Sequence, residues 1–155
     1  KVLTFLGPFC SHFRLTNTSI APLLEKTIIK AILADSVTMF YVGNQGQFDS
    51  MVRKTLKRIT TKYPQVNYAV VLAYMPNEKK ECGHTDYSDT MLPEGIENVP
   101  PRFAISWRNK WMLKHSDIVI TYITHSWGGA AQFADLAKRQ HKQVINIADI
   151  MKGQA

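Results

Sequence analysis

Five short runs of apolar residues recur along the chain, separated by longer stretches with apolar positions three and four residues apart. "VLTFL" (Val2 to Leu6) is the first run, and it ends at Gly7-Pro8. "VTMFYV" (Val37 to Val42) is the second, ended by "GNQG", and "VNYAVVLAY" (Val66 to Tyr74) is the third. "IVITYI" (Ile118 to Ile123) and "QVINI" (Gln143 to Ile147) complete the set. Their β-branched and aromatic content predicts strands. Between them, "APLLEKTIIKAILADS" places Leu24, Ile28 and Ile32 on one helical stripe with Leu23 and Ala31 beside it. Ser19 is a candidate cap for this helix, and Pro22 fits its first turn. "FDSMVRKTLKRITTKY" aligns Phe48, Val52, Leu56 and Ile59 in the same way. "RFAISWRNKWMLKHS" (Arg102 to Ser116) and "GAAQFADLAKRQ" predict two more helices.

Strands that are apolar on both faces need cover on both faces. Strand–helix alternation of this kind therefore predicts an α/β fold, a three-layer Rossmann-like arrangement with a mostly parallel sheet of about five strands. No repeat or linker divides the chain, so residues 1–155 are expected to form a single domain. The Met75 to Pro101 stretch has no periodicity and is longer than the roughly 12–15 residues of most loops. With Tyr74, Tyr87 and Met91, it is expected to serve as a lid or a subunit contact.

Composition narrows the class further. At 45% hydrophobic and 20% charged, the 155 residues match an ordinary globular protein. No apolar run approaches the ~20 residues of a membrane span, and "KVLTFLGPF" is too short for a signal peptide. Cys10 and Cys82 form no metal or disulfide pattern, which predicts free thiols in the cytoplasm (a host's cytoplasm, for a phage protein). Cys82, His84, Asp86 and Asp89 crowd one loop, yet such clusters are usually solvated, and neither a metal nor a cofactor is expected. The net charge of +7 favours anionic partners. Much of it lies in "RKTLKR" (Arg53 to Arg58) and "KRQHK" (Lys138 to Lys142). These segments read as solvated helix faces or as nucleic-acid contacts, and the former is preferred.

In parallel α/β folds, ligands sit beyond the carboxyl ends of the strands. Here those ends carry glycines: Gly7, Gly43 and Gly46, and Gly128 and Gly129. Gly128-Gly129 opens a helix whose first N–H groups, starting near Ala130, can meet an anion; a plain tight turn explains it equally. Asp49 can complement its helix N-terminus, or it can bind a ribose hydroxyl or orient the loop. Arg108, between Trp107 and Trp111, is either a surface residue paired with an exposed Asp135 or a fork for a phosphate or carboxylate. In the second case Asp135 would act on a sugar carbon–nitrogen bond. No "GxxxxGK[ST]" or "GxGxxG" is present.

At these residues the chain resembles the SLOG superfamily, the Rossmann-like group of the Lonely Guy phosphoribohydrolases and the DNA-processing protein A domain. "RNKWM" matches that family's "RKxxM", giving Arg108 and Met112, and "WGGAAQFAD" matches "PGGxGTxxE", giving Gly128, Gly129 and Asp135. "YVGNQGQFD" is similar to the glycine-rich turn after the second strand, and the whole pattern looks closest to a bacterial and phage branch. The resemblance implies a nucleotide-derived small molecule as partner. Its contacts would be Gly7, Pro8, Gly43, Asn44, Gly46, Asp49, Arg102, Trp107, Arg108, Ser126, Trp127, Gly128, Gly129, Ala130 and Gln132. It also implies a homo-oligomer, a dimer or larger. Nucleic acid, considered for the basic segments, is not the expected partner. In the hydrolases, the residues matching Arg108 and Asp135 are catalytic in releasing a base from a nucleoside 5′-monophosphate. Four substitutions alter that pattern: Trp127 for Pro, Ala131 for Gly, Gln132 for Thr and Asp135 for Glu. Gly7-Pro8 also departs from the usual Gly-Ser or Gly-His. Since a misplacement of ~1 Å can cost a hundredfold in rate, these changes favour binding without turnover over hydrolysis.

Overall fold

A computed structural model of the protein describes residues 1–8, 20–75 and 88–153. Cys10, Ser19, Cys82, His84, Asp86 and Tyr87, singled out from the sequence, lie outside them. The elements run β1 (Val2–Leu6), α1 (Ile20–Asp35), β2 (Met39–Val42), α2 (Gly46–Lys62), β3 (Asn67–Val71) and β4 (Thr90–Met91). They continue with α3 (Ala104–Lys114), β5 (Ile118–Thr121), α4 (Gly129–Arg139), β6 (Gln143–Asn146) and α5 (Ile147–Gly153).

The six strands form one sheet, ordered β4-β3-β2-β1-β5-β6, and every pairing is parallel. Side chains alternate between its faces, and both alternations are apolar. Leu3, Phe5, Phe40, Val42, Val70, Ile118 and Ile120 pack with α1, α2 and α5. Leu6, Val71 and Val119 pack on the other face with Met112 and Leu113 of α3 and Ala137 of α4. The predicted stripe of α2 is realised in full, with Phe48, Val52, Leu56 and Ile59 completely buried. On α4 the buried positions are Ala131, Ala134 and Ala137, small residues that let the helix lie close to the sheet.

The sheet has six strands where the sequence predicted about five. The additional one, β4, lies in the segment read as irregular. It is two residues long, too short to show a period, and its pairing with β3 defines it: the N–H groups of Val70 and Leu72 donate to the carbonyls of Asp89 and Met91. This part of the predicted lid is therefore a sheet edge. The terminal helix α5 was also unforeseen. Ile147, assigned from sequence to the last strand, instead begins this helix. The Asn146 side chain makes the change of direction. Its Oδ1 accepts the N–H of Ala148 in the manner of a helix cap, and also the N–H of Ile123, while its Nδ2 donates to the Ile123 carbonyl. Asn146 thereby pins the segment leaving β5.

Candidate functional site

The strand order reverses between β1 and β5: the chain first fills one side of β1, then crosses to the other. At this switch point the segments that follow the two strands lead to helices on opposite faces, α1 and α4, which leaves a crevice. The hydroxyl of Thr121 donates to the Leu6 carbonyl and ties the two ends together at the crevice floor. Above it lies a cavity of about 860 Å³, within the range of small-molecule sites. Its wall is mostly apolar, with Phe5, Leu6, Ile105, Met112, Tyr122 and Phe133 contributing.

One side of this cavity is the start of α4. Gly128 precedes the helix at φ +100°, a conformation that favours glycine, and no side chain caps the helix. The first intrahelical bond is donated by the Gln132 N–H to the Gly128 carbonyl. A side chain at Gly128 or Gly129 would meet no atom within 4 Å, so the backbone here is open to a ligand. Uncapped N–H groups at an exposed glycine turn form an anion-binding end. Beside it, the His125 and Trp127 rings stack at 4.9 Å and 15°, with Trp127 73% exposed.

Another part of the wall holds two buried charged residues, Asp49 and Arg108. Ala104, Arg108 and Met112 are four apart on α3, and all three are buried; Arg108 is 2% exposed. Its Nη1 donates to the Val71 carbonyl at 3.0 Å and its Nε to Asn109 Oδ1 at 3.0 Å. Asp49, 7% exposed near the start of α2, accepts the Gln45 N–H on Oδ2 at 2.9 Å. Gly43 makes their approach possible: a Cβ there would lie 2.7 Å from Asp49 Oδ2 and 2.9 Å from Arg108 Nη1. Burial pushes the Asp49 carboxyl from 3.8 up to about 6, despite the opposing pull of the Gln45 hydrogen bond and of Arg108. Burial likewise lowers the guanidinium pKa of Arg108, while Asp49 and Tyr74 work the other way.

Nine of the expected contact residues line this cavity: Gly7, Pro8, Asp49, Arg102, Arg108, Trp127, Gly128, Gly129 and Ala130. Gly43, Asn44, Gly46, Trp107, Ser126 and Gln132 do not. Gly43 acts at one remove, by giving Asp49 and Arg108 their space. Trp107 packs instead against the cluster of Ala73, Ile96 and Ala104. Asp135 is the main displacement. It is exposed and does not line the cavity, because it follows Ala134 of the buried stripe and each helix residue turns about 100°. The acid near Arg108 is Asp49, and neither Arg108 nor its surroundings fit the surface-pair reading. Gln45, Asn109, Thr124 and His125 also line the cavity and were missed. His125 carried a readable signal, an aromatic ring two residues from Trp127 in a strand-end loop.

The first basic segment lies on α2, and the second spans the end of α4 and the turn after it. Arg53 forks onto Asp89 at 2.9 and 3.3 Å, Tyr68 also donates to Asp89, and Arg58 pairs with Glu25 at 3.5 Å. Lys138 and Arg139 sit in the last turn of α4, where cations suit the helix dipole. Lys142 donates to the Ser116 carbonyl. Among the described residues there is no group of three metal-ligating side chains and no helix long and apolar enough to cross a membrane. The chain matches neither a protein-family model nor a curated protein.

Proposed function

We propose that the protein binds a nucleotide-derived small molecule in the switch-point cavity and holds it without turnover. The observation that carries this reading is the joint opening of the α4 N-terminus and the His125–Trp127 stack onto one cavity. A phosphate needs unpaired N–H donors, and a base needs an aromatic face. Arg102, also on the wall, adds a cation for a phosphate. The apolar lining leaves room for the remainder of the ligand. Binding is the simpler assignment because Asp135, the acid expected to attack the glycosidic centre, is exposed outside the cavity.

Turnover is the second reading, and it rests on one observation. Asp49 faces the cavity with a pKa near 6, which suits proton transfer at neutral pH. Incubation with nucleoside 5′-monophosphates separates the two readings. Saturable binding with no free base supports the binder. Base release that disappears in Asp49→Asn supports an N-glycosidase.

Self-association is part of the same proposal. Tyr74, Met75 and Leu92 are exposed and line a second, smaller cavity beside Pro101, an apolar surface that a subunit contact would cover. Sedimentation is expected to give a dimer or larger, and a monomer at micromolar concentration would remove this element.

A further inference from the structure

Among the described residues, Asp49 and Arg108 each have one end that no protein group occupies. The Gln45 N–H takes Oδ2 of Asp49, and no described residue donates to Oδ1. Asn109 and Val71 take Nε and Nη1 of Arg108, and no described residue accepts from Nη2. Yet no fully inaccessible side-chain nitrogen or oxygen among the described residues lacks a partner. The free Oδ1 and Nη2 therefore retain accessible surface, and both residues line the cavity. A side chain 7% exposed and another 2% exposed thus present one bare acceptor and one bare donor to the ligand space.

A ligand that displaces water from these groups without replacing its hydrogen bonds leaves them unpaired, so one that fills them has a large advantage over one that does not. The uncharged group that both donates and accepts through one atom is a hydroxyl. A phosphate would suit Arg108 but repel the Asp49 carboxylate. A second anion subsite is therefore disfavoured on this wall. The anion end of the cavity is at α4, so the group reaching Asp49 and Arg108 is an uncharged, hydroxyl-bearing part of the same molecule.

We propose that Asp49 and Arg108 form a hydroxyl-reading subsite that selects ribonucleotides over deoxyribonucleotides. This rests on the nucleotide-binding reading above and adds to it the class of sugar. Asp49 accepts a hydrogen bond from a ribose hydroxyl, and Arg108 Nη2 donates one to the same oxygen or to its neighbour on the ring. Gly43 is the position that keeps both side chains beside the cavity, because any Cβ there would displace them.

The test is calorimetric titration of the wild-type protein with adenosine, guanosine, cytidine and uridine 5′-monophosphates, each beside its 2′-deoxy and 3′-deoxy counterparts. Binding of the ribonucleotide is expected to be about ten- to a hundredfold tighter than that of at least one deoxy form, the range for a hydrogen bond to a charged group. Asp49→Asn refines the test without removing the helix contact. The amide oxygen can keep the Gln45 N–H, and the amide nitrogen then replaces the free acceptor with a donor. This variant is expected to lose the ribose preference and to bind the ribonucleotide no better than wild type binds the deoxy form. Equal wild-type affinity for all three sugars overturns the subsite but leaves nucleotide binding standing. A change of base preference in Asp49→Asn with the sugar preference intact assigns the pair to the base edge and also overturns it. Failure of every nucleotide to bind overturns the subsite and the nucleotide reading together.

Discussion

Among the described residues, Asp49 is the carboxyl whose pKa is clearly displaced, and its effect on stability has a definite sign. Its folded pKa, about 6, lies above the ordinary 3.8, so the folded state binds the proton more tightly than the unfolded chain does. Stability from this group is therefore full below about pH 4, falls as pH rises through 4 to 6, and is level above that window. The fall is on the order of 2–3 kcal/mol. Urea melts of wild type at several pH values should show it, and Asp49→Asn should lack this slope. At Gly43 the prediction is steric. Gly43→Ala puts a Cβ within 3 Å of both Asp49 and Arg108, so the pair must move. A loss of about 1–3 kcal/mol in stability is expected, as for other overpacked sites, together with weaker nucleotide binding. Unchanged affinity in a folded Gly43→Ala protein would show that the pair does not touch the ligand.

Among the elements, the start of α4 carries the most functional content, and its neighbours can be altered separately. Trp127 is 73% exposed, so Trp127→Ala is expected to leave the melting temperature nearly unchanged. Nucleotide affinity should fall by about 1–3 kcal/mol if a base stacks there. Gly128→Ala imposes a side chain on a φ of +100° and should cost about 1–3 kcal/mol of stability. It should also weaken phosphate binding by disturbing the N–H groups of the first turn. Elements with a strong period were readable from sequence. The stripes of α1 and α2 and the runs of β1, β2, β3 and β5 lie close to their predicted places, with ends shifted by a few residues. Arg108 was readable too, since it lies four residues from Ala104 and from Met112 on the same helix face. β4 was not, because two residues carry no period and only their pairing with β3 makes them a strand. Asp135 lies outside the cavity, which motif spacing does not reveal, because spacing fixes only the order of residues along a helix. The face is set by which neighbours are small enough to be buried, here Ala131, Ala134 and Ala137. Asp49 was recognised as a candidate, but its nearness to Arg108 depends on the bare backbone of Gly43, a three-dimensional fact.

At the scale of the whole molecule, the topology decides where chemistry can occur. The reversal of strand order beside β1 opens the crevice, and residues from α2, α3 and the start of α4 reach it from separate stretches of sequence. The basic surface adds little to this site, since Arg53 and Arg58 are already paired with Asp89 and Glu25. Duplex DNA is therefore expected to bind weakly, with an affinity that falls steeply as salt is added and is indifferent to Arg108→Ala. A nucleotide-derived molecule held in the cavity should be recoverable from the protein itself. The most direct test exposes purified wild-type protein to a small-molecule extract of cells, removes unbound material, and identifies by mass spectrometry what denaturation releases. Enrichment of a phosphorylated nucleoside species is expected, lost when Gly128→Ala is treated in parallel. An extract from which wild type retains no such species, or from which Gly128→Ala retains it equally, would rule out a nucleotide held at the α4 turn.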